Sequence, residues 1–415
     1  MADRAKQASF QYLDSVAAVE NFTGEIAGIT ELALDTEGAS FHRFVDRIYL
    51  LQLSTRDRHA VIDPLPLGRP AGLGALLESP GVEVVFHDAD YDLRLLSQDY
   101  GWQITHIFDT RIAAQLLGYT AFGLAALLER FFGVTLDKKH QRADWSMRPL
   151  PADMLDYAAQ DTRFLLELKD KMSAELERMG RMPWAREEFG LIEGTRWADE
   201  EPGMGFLKLK GARDLNRREL AVLRELVPWR DAVAGQLDRA TFRVLGNEQL
   251  LDIARLQPST RDALGKIKGM PRGILEQRGS ELLDAVQRAL AVPEAELPKF
   301  PRAARWDRDP EFDARVSALK TARDEAAKRL ALDPGVLCSR DRMEAVARRN
   351  PASVAEVEAV TELRRWQVGE LAEAFVLALV PHRKRAGATP TGDVTPPESS
   401  IATVVQMSAE SPYRE

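Results

Sequence analysis

The sequence predicts an α/β domain built on a mixed β-sheet, followed by two all-α helical domains. In roughly the first 175 residues, apolar strand-like runs alternate with helical patterns. After residue 205 the strand patterns stop, and only helical patterns separated by Pro and Gly remain. Within that helical part, residues 234–258 and 326–351 share one order of features: helix, short turn, Val-Leu pair, helix, Ala-Arg and Pro. This repeat indicates two copies of a small helical module.

The first domain contains five candidate strands, preceded by a predicted helix over residues 15–26. The first three strands are joined by short turns, so we predict an antiparallel meander. Helical stretches separate the later strands, which favours parallel pairing. A long helix from about residue 152 to residue 172 closes the domain. The candidate strands are LALDTE, RIYLLQLST, HAVIDP, VEVVFH and ITHIFD.

Composition shifts divide the chain into segments. We place the first domain at residues 1–175 and a Pro-, Gly- and acid-rich connector at 176–206. The helical domains follow at 207–295 and 310–383. Residues 384–415 are rich in Pro, Thr and Ser, and we predict a disordered tail there.

The overall composition is that of an ordinary globular chain of 415 residues, 45% hydrophobic and 29% charged. The net charge of −8 excludes a generally basic nucleic-acid coat but allows a local basic patch or an acidic metal site. The single cysteine, Cys338, excludes an internal disulfide and fits a reducing compartment. The N-terminus has no signal-peptide core, and no apolar run reaches the ~18 residues of a membrane span. We therefore expect a cytoplasmic protein with no membrane partner.

Two acids, Asp35 and Glu37, end the apolar run ELALDTE. In a strand, residues i and i+2 share a face, so both carboxylates point the same way. Read alone, the pair could mark a strand end that reaches solvent. A third acid, Asp161, falls on the apolar stripe of the closing helix, with Tyr157 one turn before it. From that helix alone, Asp161 could equally border the stripe and be solvated.

A fourth acid, Asp92, lies within a predicted helix in line with Leu95 and Leu96, although spacing alone does not exclude a solvated position. Inward-facing carboxylates are unfavourable unless something compensates their charge. A divalent cation does so, and an all-oxygen set without nearby Cys favours Mg²⁺ or Mn²⁺ over structural Zn²⁺. Two such ions about 4 Å apart are a known device for attack on phosphodiesters.

Three ordered motifs carry a family resemblance. LDTEGASF, FHDADYDLRLL and YAAQDTRFLLELK resemble the motifs of the DEDDy 3′→5′ exonucleases, and FDTRIAAQLLGY and GVTLDKKHQRADWSMRPL resemble the ribonuclease D group within that family. The similarity covers roughly residues 10–175 and implies a ribonuclease H-like mixed-sheet nuclease domain. The catalytic residues that it implies are Asp35, Glu37, Asp92, Asp161 and Tyr157.

The resemblance also implies a mechanism with two divalent ions, Mg²⁺ or Mn²⁺. Asp35 would bridge both ions, and Glu37 and Asp161 would complete the site of the ion that holds the attacking water. Asp92 would act at the second ion. A free tyrosine titrates near 10, so Tyr157 would steer the water rather than deprotonate it unaided. The products would be nucleoside 5′-monophosphates.

Other polar residues receive separate interpretations. The family-like loop contains Arg142, Trp145 and Arg148. In one interpretation the tryptophan is packed and the arginines are solvated; in the other, these residues contact the substrate backbone. We expect His87 to be structural and Gln52 to be satisfied within the fold. Asp109, with Thr110, precedes a helix and is expected to cap it.

The helical half has a local positive balance. Residues 207–290 contain sixteen Lys/Arg and eleven Asp/Glu, an excess of +5. Residues 213–258 and 264–286 resemble an HRDC module, and residues up to about 380 resemble a second, diverged copy. Two copies after the nuclease domain are the arrangement expected of bacterial ribonuclease D. These domains would help to handle RNA; alternatively, their basic residues form a solvated face and the modules only shape the entrance.

The leading hypothesis is therefore a metal-dependent 3′→5′ exoribonuclease that trims structured RNA, with tRNA precursors as the family-implied substrate and partner. A DNA 3′→5′ exonuclease is the second hypothesis, although no helicase or polymerase segment is present. A non-catalytic nucleic-acid-binding module is the third, and the complete set of acids with Tyr157 argues against it. We expect a monomer.

Overall fold

The first domain is built on a six-stranded mixed sheet. The computed structural model describes residues 10–137, 139–197, 203–301 and 309–383. The strand order is β1-β4-β3-β2-β5-β6. The strands are β1 (Gln11–Leu13), β2 (Glu31–Glu37), β3 (Leu50–Ser54), β4 (His59–Ile62), β5 (Glu83–Phe86) and β6 (Ile107–Asp109).

The pairing of these strands confirms the predicted mixed sheet. β2, β3 and β4 form an antiparallel meander, and β5 and β6 extend the sheet by parallel pairing from β2. The sequence analysis missed β1, which pairs in parallel with β4 at the edge. This strand has three residues, of which only Leu13 is buried, so it carries no readable alternation.

Within the described residues, eight helices accompany the sheet in the first domain. The prediction of a helix over residues 15–26 is confirmed, and its Ser15 caps α1 by accepting a hydrogen bond from the Ala18 N–H. The helices are α1 (Val16–Glu25), α2 (Ala71–Leu77), α3 (Asp90–Tyr100), α4 (Thr110–Leu116), α5 (Leu124–Phe132), α6 (Ala152–Arg163), α7 (Leu165–Arg178) and α8 (Met182–Ile192).

The closing helix differs from the prediction. A single helix over residues 152–172 was expected, but α6 ends at Arg163, the next residue Phe164 has a ψ of 0°, and a second helix, α7, begins at Leu165. The segment contains neither Pro nor Gly at the break, so no local signal marks it. The cause is packing: α6 lies over β2, β3 and β4, whereas α7 packs against β2, β5 and α4. Beyond α7, residues 182–192 of the predicted connector form α8, whose Phe189 packs against Phe108 of β6 with ring centroids 4.9 Å apart.

The helical half consists of two modules with the same order of elements, which confirms the repeat. In each, a long helix is followed by a short, a medium, a short and a long helix. The first is α9 (Arg217–Leu237), α10 (Thr241–Val244), α11 (Asn247–Leu256), α12 (Arg261–Gly265) and α13 (Arg272–Leu290); the second is α14 (Phe312–Leu330), α15 (Pro334–Leu337), α16 (Arg340–Arg349), α17 (Val354–Glu358) and α18 (Arg365–Leu379). Short 3₁₀ turns lie at Gly205–Lys208, Ala212–Asp214, Glu294–Glu296 and Val380–His382.

The equivalence of the two modules extends to their backbone. The medium helices α11 and α16 both end on a left-handed residue, Gln257 and Asn350, directly before the repeated Pro. The long helices α9 and α14 likewise end on left-handed Asp238 and Ala331. The repeated sequence features therefore correspond to repeated helix ends.

The two modules contact the first domain differently. The second module shares its hydrophobic core, and Trp184 of α8 stacks on Trp366 of α18 at 4.8 Å. The first module has its own core. It meets the loop after β2, where Arg43 Nη1 donates to Asp238 Oδ2 at 3.1 Å and the Ala240 N–H donates to the His42 carbonyl. This contact brings the first module next to the end of β2.

Two further predictions concern the chain as a whole. The predicted tail, residues 384–415, lies outside the described residues. Within the residues that are described, every helix is too short or too polar to cross a membrane.

Candidate active site

Three carboxylates meet where α6 crosses β2. Asp35 and Glu37 alternate along β2 onto one face of the sheet, and α6 covers that face and brings Asp161 to it. One oxygen from each of the three carboxylates lies within 4.8 Å of the other two. All three residues are partly exposed, so the cluster is open to solvent and to a ligand. Asp161 thus shares one site with two strand residues that precede it by at least 124 positions in the chain.

Asp92 lies beside this group but outside the three-carboxylate cluster. It sits in the first turn of α3, 5% exposed, on the same buried face as Leu95 and Leu96. Its Oδ1 accepts hydrogen bonds from the backbone N–H of Thr36 at 3.0 Å and from Thr36 Oγ1 at 2.5 Å. Thr36 separates Asp35 from Glu37, so the fourth acid is tied directly to the strand segment that carries the first two.

The electrostatics of the four acids favour a cation. Burial raises the pKa of Asp35 well above its usual range, and repulsion from Asp161 adds to the effect. The pKa of Glu37 is raised by burial and then by Asp35, and that of Asp92 by burial and then by Asp35. Burial raises the pKa of Asp161 to about 7. A bound divalent cation would stabilise the charged carboxylates against both their burial and their mutual repulsion. The donor set, which consists of oxygens alone, fits a hard ion such as Mg²⁺ or Mn²⁺.

Tyr157 lies on α6, one turn before Asp161. Burial, followed by the charges of Asp161 and Glu37, raises the pKa of its hydroxyl, so this group is a protonated hydrogen-bond donor at neutral pH. Its ring packs edge-on against His140, with centroids 5.6 Å apart. Tyr157 lines two cavities, of ≈ 310 and ≈ 160 Å³; the carboxylates of Asp35 and Glu37 border the first, and Asp161 borders the second.

The loop between α5 and α6 closes one side of the larger cavity. Trp145 is 1% exposed and packs against Tyr157, with ring centroids 6.1 Å apart. Arg142 is exposed, borders the cavity and lies over the Phe41 ring at 5.3 Å. Trp145 therefore supports the site from within, whereas Arg142 faces the space that a ligand would enter.

Arg148 occupies neither of the positions suggested by its sequence context. Its guanidinium makes two hydrogen bonds to the buried carboxylate of Asp63. Its other N–H groups donate to the carbonyls of Trp145, Met147 and Tyr49 at 2.8, 2.6 and 2.7 Å. These contacts use all five N–H donors of the side chain, so none is left for a substrate phosphate. Arg148 holds the loop against the sheet rather than reaching into the cavity.

An aromatic pair at the cavity mouth was not anticipated. Phe41 lies in the loop after β2 and lines the larger cavity. Its ring meets the ring of Phe242, from the first helical module, edge-on, with ring centroids 6.0 Å apart. Both side chains remain about half exposed, at 45% and 51%. Phe242 belongs to none of the sequence motifs described above. It lies beside Phe41 because the first module docks against the loop after β2.

The remaining polar predictions have mixed outcomes. Asp109 caps α4 as expected, and His87 Nδ1 lies 2.9 Å from Thr110 Oγ1, which is consistent with a structural role. The prediction for Gln52 is wrong. Its side chain is fully buried, yet neither amide atom has a hydrogen-bond partner among the described residues. A strand pattern shows that a residue is buried, but it does not show whether a partner faces it.

Family models match most of the described chain. A 3′-5′ exonuclease model matches residues 10–177. An HRDC domain model matches twice, at residues 219–286 and 312–379. The first match contains all four acids and Tyr157, and the other two coincide with the repeated helical modules.

Named relatives agree with these matches. A ribonuclease D of Gluconacetobacter diazotrophicus is 32% identical over 302 residues, which cover 71% of this chain and 77% of that protein. The crystal structure of Escherichia coli RNase D, described as an exoribonuclease involved in structured RNA processing, covers 91% of this chain and all of that one, with a TM-score of 0.70 and 26% identity. The catalytic core of RRP6 from Trypanosoma brucei covers 68% of this chain and 80% of its own, with a TM-score of 0.61 and 30% identity.

Proposed function

Because the chain belongs to the ribonuclease D family and is a 3′→5′ exoribonuclease, we propose that it releases nucleoside 5′-monophosphates one at a time in a reaction that requires two divalent ions, Mg²⁺ or Mn²⁺. The observation that carries the metal requirement is the approach of three carboxylates to within 4.8 Å of one another. Their raised pKa values support it, because a cation is the simplest compensation for their burial and repulsion. The proposed ligands are Asp35, Glu37, Asp92 and Asp161.

When bound, such ions activate water and neutralise charge on the scissile phosphate and the departing 3′ oxygen. The residues of the chain supply the rest. Tyr157, which stays protonated at neutral pH, donates a hydrogen bond that orients the attacking water. Asp92 keeps the Asp35–Glu37 segment in place through Thr36. Trp145 packs behind Tyr157 and limits the movement of its ring.

The 3′ end of the RNA enters through the ≈ 310 Å³ cavity beside β2. Phe41 and Arg142 line this cavity, and the exposed ring of Phe242 extends the aromatic surface from Phe41. Aromatic rings stack on bases of any sequence, and a guanidinium binds the phosphate backbone. The first HRDC module thereby contributes to RNA handling, and a single-stranded 3′ extension on a folded RNA, such as a tRNA precursor, fits this entrance.

Several finer points complete the proposal. The nuclease domain extends over residues 1–175, the connector over 176–206, and the HRDC domains over 207–295 and 310–383. The protein acts as a monomer in the cytoplasm. The full set of acids with Tyr157 supports catalysis rather than a non-catalytic binding role.

A digestion assay tests the proposal. A tRNA with a 3′ extension and a DNA strand that matches the extension are incubated with the protein in Mg²⁺, in Mn²⁺ and in EDTA, and products are resolved by nucleotide. We expect 5′-monophosphates from the RNA in either metal, none in EDTA, and much slower release from DNA.

Asp161→Asn should abolish release, whereas Asp90→Asn, which changes an exposed acid paired with Arg94 outside the site, should not. Full activity of Asp161→Asn or in EDTA would contradict the metal mechanism, and faster DNA digestion would favour a DNA exonuclease.

A further inference from the structure

Gln52 is a polar side chain in a place where the fold offers it no partner. It lies in the middle of β3, is 0% exposed, and has apolar neighbours Leu51 and Leu53. Both Oε1 and Nε2 are buried and lack a hydrogen-bond partner among the described residues. Burying an amide without a partner is unfavourable, and an apolar side chain of the same size would fill this position better. A polar residue at this position therefore calls for a functional explanation.

The register of the sheet shows which group lies nearby. Gln52 is directly opposite Asp35 in the antiparallel β2–β3 pair. Directly opposite residues project to the same face, with Cβ atoms about 4.5–5.5 Å apart. On its other side Gln52 faces Val61 of β4, which offers no polar atom. Of these two cross-strand neighbours, only Asp35 can form a hydrogen bond with the amide.

The covering helix supports the same placement. Ser54, two residues along β3 and so on the same face as Gln52, lies with its Oγ 2.7 Å from Thr162 Oγ1 of α6. Thr162 directly follows Asp161. The face of β3 that holds Gln52 is thus the face that α6 covers and on which the three carboxylates meet.

We propose that Gln52 is a positioning residue of the metal site. Its amide N–H donates a hydrogen bond to the Asp35 carboxylate when divalent ions are bound, and so fixes the orientation in which Asp35 binds them. Carboxylates that ligate metals need such supporting donors, and their loss typically weakens metal binding 10- to 100-fold. The inference rests on the proposed metal-dependent function and adds a residue to its site.

Calorimetric titration of the whole chain with Mn²⁺ tests the assignment. Gln52→Met keeps the length of the side chain and removes the amide. We expect Mn²⁺ affinity to fall about 10- to 100-fold, while the melting temperature of the metal-free protein stays equal or rises, because an unpaired buried amide has been removed. With RNA at saturating metal, kcat should fall and KM for RNA should not change. Gln52→Asn keeps the amide but shortens the side chain by one methylene, which shifts the N–H relative to Asp35, and should also weaken Mn²⁺ binding.

Thr55→Val is the control, because it removes a buried hydroxyl that follows β3 and donates to Asp57 and to the Arg58 carbonyl, outside the carboxylate cluster. It should lower the melting temperature and leave Mn²⁺ affinity unchanged. If wild type binds Mn²⁺ and both Gln52 variants bind it equally tightly, the assignment of Gln52 is overturned while the metal mechanism stands. If wild type itself binds no Mn²⁺, the proposed metal-dependent function fails, and the role of Gln52 fails with it.

Discussion

The buried carboxylate of Asp92 receives two hydrogen bonds from Thr36, one from its backbone N–H and one from its hydroxyl. Thr36 stands between Asp35 and Glu37 in β2, so an acid on α3 anchors the strand segment that carries two other acids. Asp92 is therefore connected to the site through Thr36, although only the other three carboxylates have oxygens within 4.8 Å of one another. A change at Thr36 should therefore affect both stability and the site.

Thr36→Val tests this link. The substitution keeps the β-branched shape but removes the hydroxyl donor to a buried carboxylate, which should lower the free energy of unfolding by about 1–3 kcal/mol. Chemical denaturation measures the change, and we expect a fall in kcat alongside it. Thr36→Ser retains the hydroxyl and should recover most of both. Equal stability of the valine and serine variants would show that the Thr36 hydroxyl contributes little.

Asp161→Asn should separate stability from activity. In the metal-free protein this change removes one of several partly buried, mutually repelling carboxylates, so the melting temperature should rise by a few degrees. The same change should lower exonuclease activity by about two orders of magnitude or more, because a proposed metal ligand is lost. Differential scanning calorimetry in EDTA measures the first effect, and a lower melting temperature would contradict it.

The contribution of Asp161 to the stability of the metal-free protein should decrease as pH rises from about 4, the usual pKa of a free carboxyl, to about 7, the pKa of Asp161. In this window the folded state keeps protons that the unfolded state has released, so unfolding releases protons and is favoured by higher pH. Saturating Mn²⁺ should reduce this slope, because a bound ion displaces the same protons. Denaturation curves in EDTA and in Mn²⁺ across this range provide the comparison; identical slopes would contradict the expectation.

Arg148→Ala should act on stability. It would leave the carboxylate of Asp63, 4% exposed, with Tyr12 as its remaining side-chain partner, and would free the loop between α5 and α6. Breaking such a buried pair typically lowers stability by about 3–5 kcal/mol, and the partial exposure of Arg148 argues for the lower end. Arg142→Ala, in the same loop but exposed at the cavity, should leave the melting temperature unchanged and raise KM for RNA. A rise in KM for Arg148→Ala at unchanged stability would instead assign Arg148 to substrate contact.

Phe242→Ala probes the entrance. Loss of one stacking surface typically weakens nucleic-acid binding by about 1–3 kcal/mol per base, so KM for a 3′-extended RNA should rise roughly 5- to 150-fold at nearly constant kcat. Leu237→Ala removes another exposed apolar side chain of the same module and serves as the control. Unchanged KM for Phe242→Ala would indicate that the first module only shapes the entrance.

The local features of this protein could be predicted from the sequence. The alternation along ELALDTE places Asp35 and Glu37 on one face whatever the rest of the fold does, because a strand has a period of two. The closeness of the first three candidate strands in the chain favoured antiparallel pairing, which the structure confirms, and the two Val-Leu…Pro segments correspond to two modules with matching helix ends. Each of these properties depends on residues that are close together in the chain.

Tertiary packing alone decided the rest. Arg148 and Asp63 are 85 positions apart, and their pairing changes an apparent substrate contact into a structural support. Phe242 reaches Phe41, which lines the cavity, because the first module docks against the loop after β2. Gln52 has no hydrogen-bond partner among the described residues, and its cross-strand neighbours are Val61 and Asp35. Periodicity reports which face of an element is apolar, but it carries no information on which distant side chain will meet that face. The sequence by itself therefore determined the shared face of Asp35 and Glu37 and the family resemblance that names the four acids. The tertiary structure decided where Asp92 and Asp161 lie, and which of the remaining polar side chains support the site.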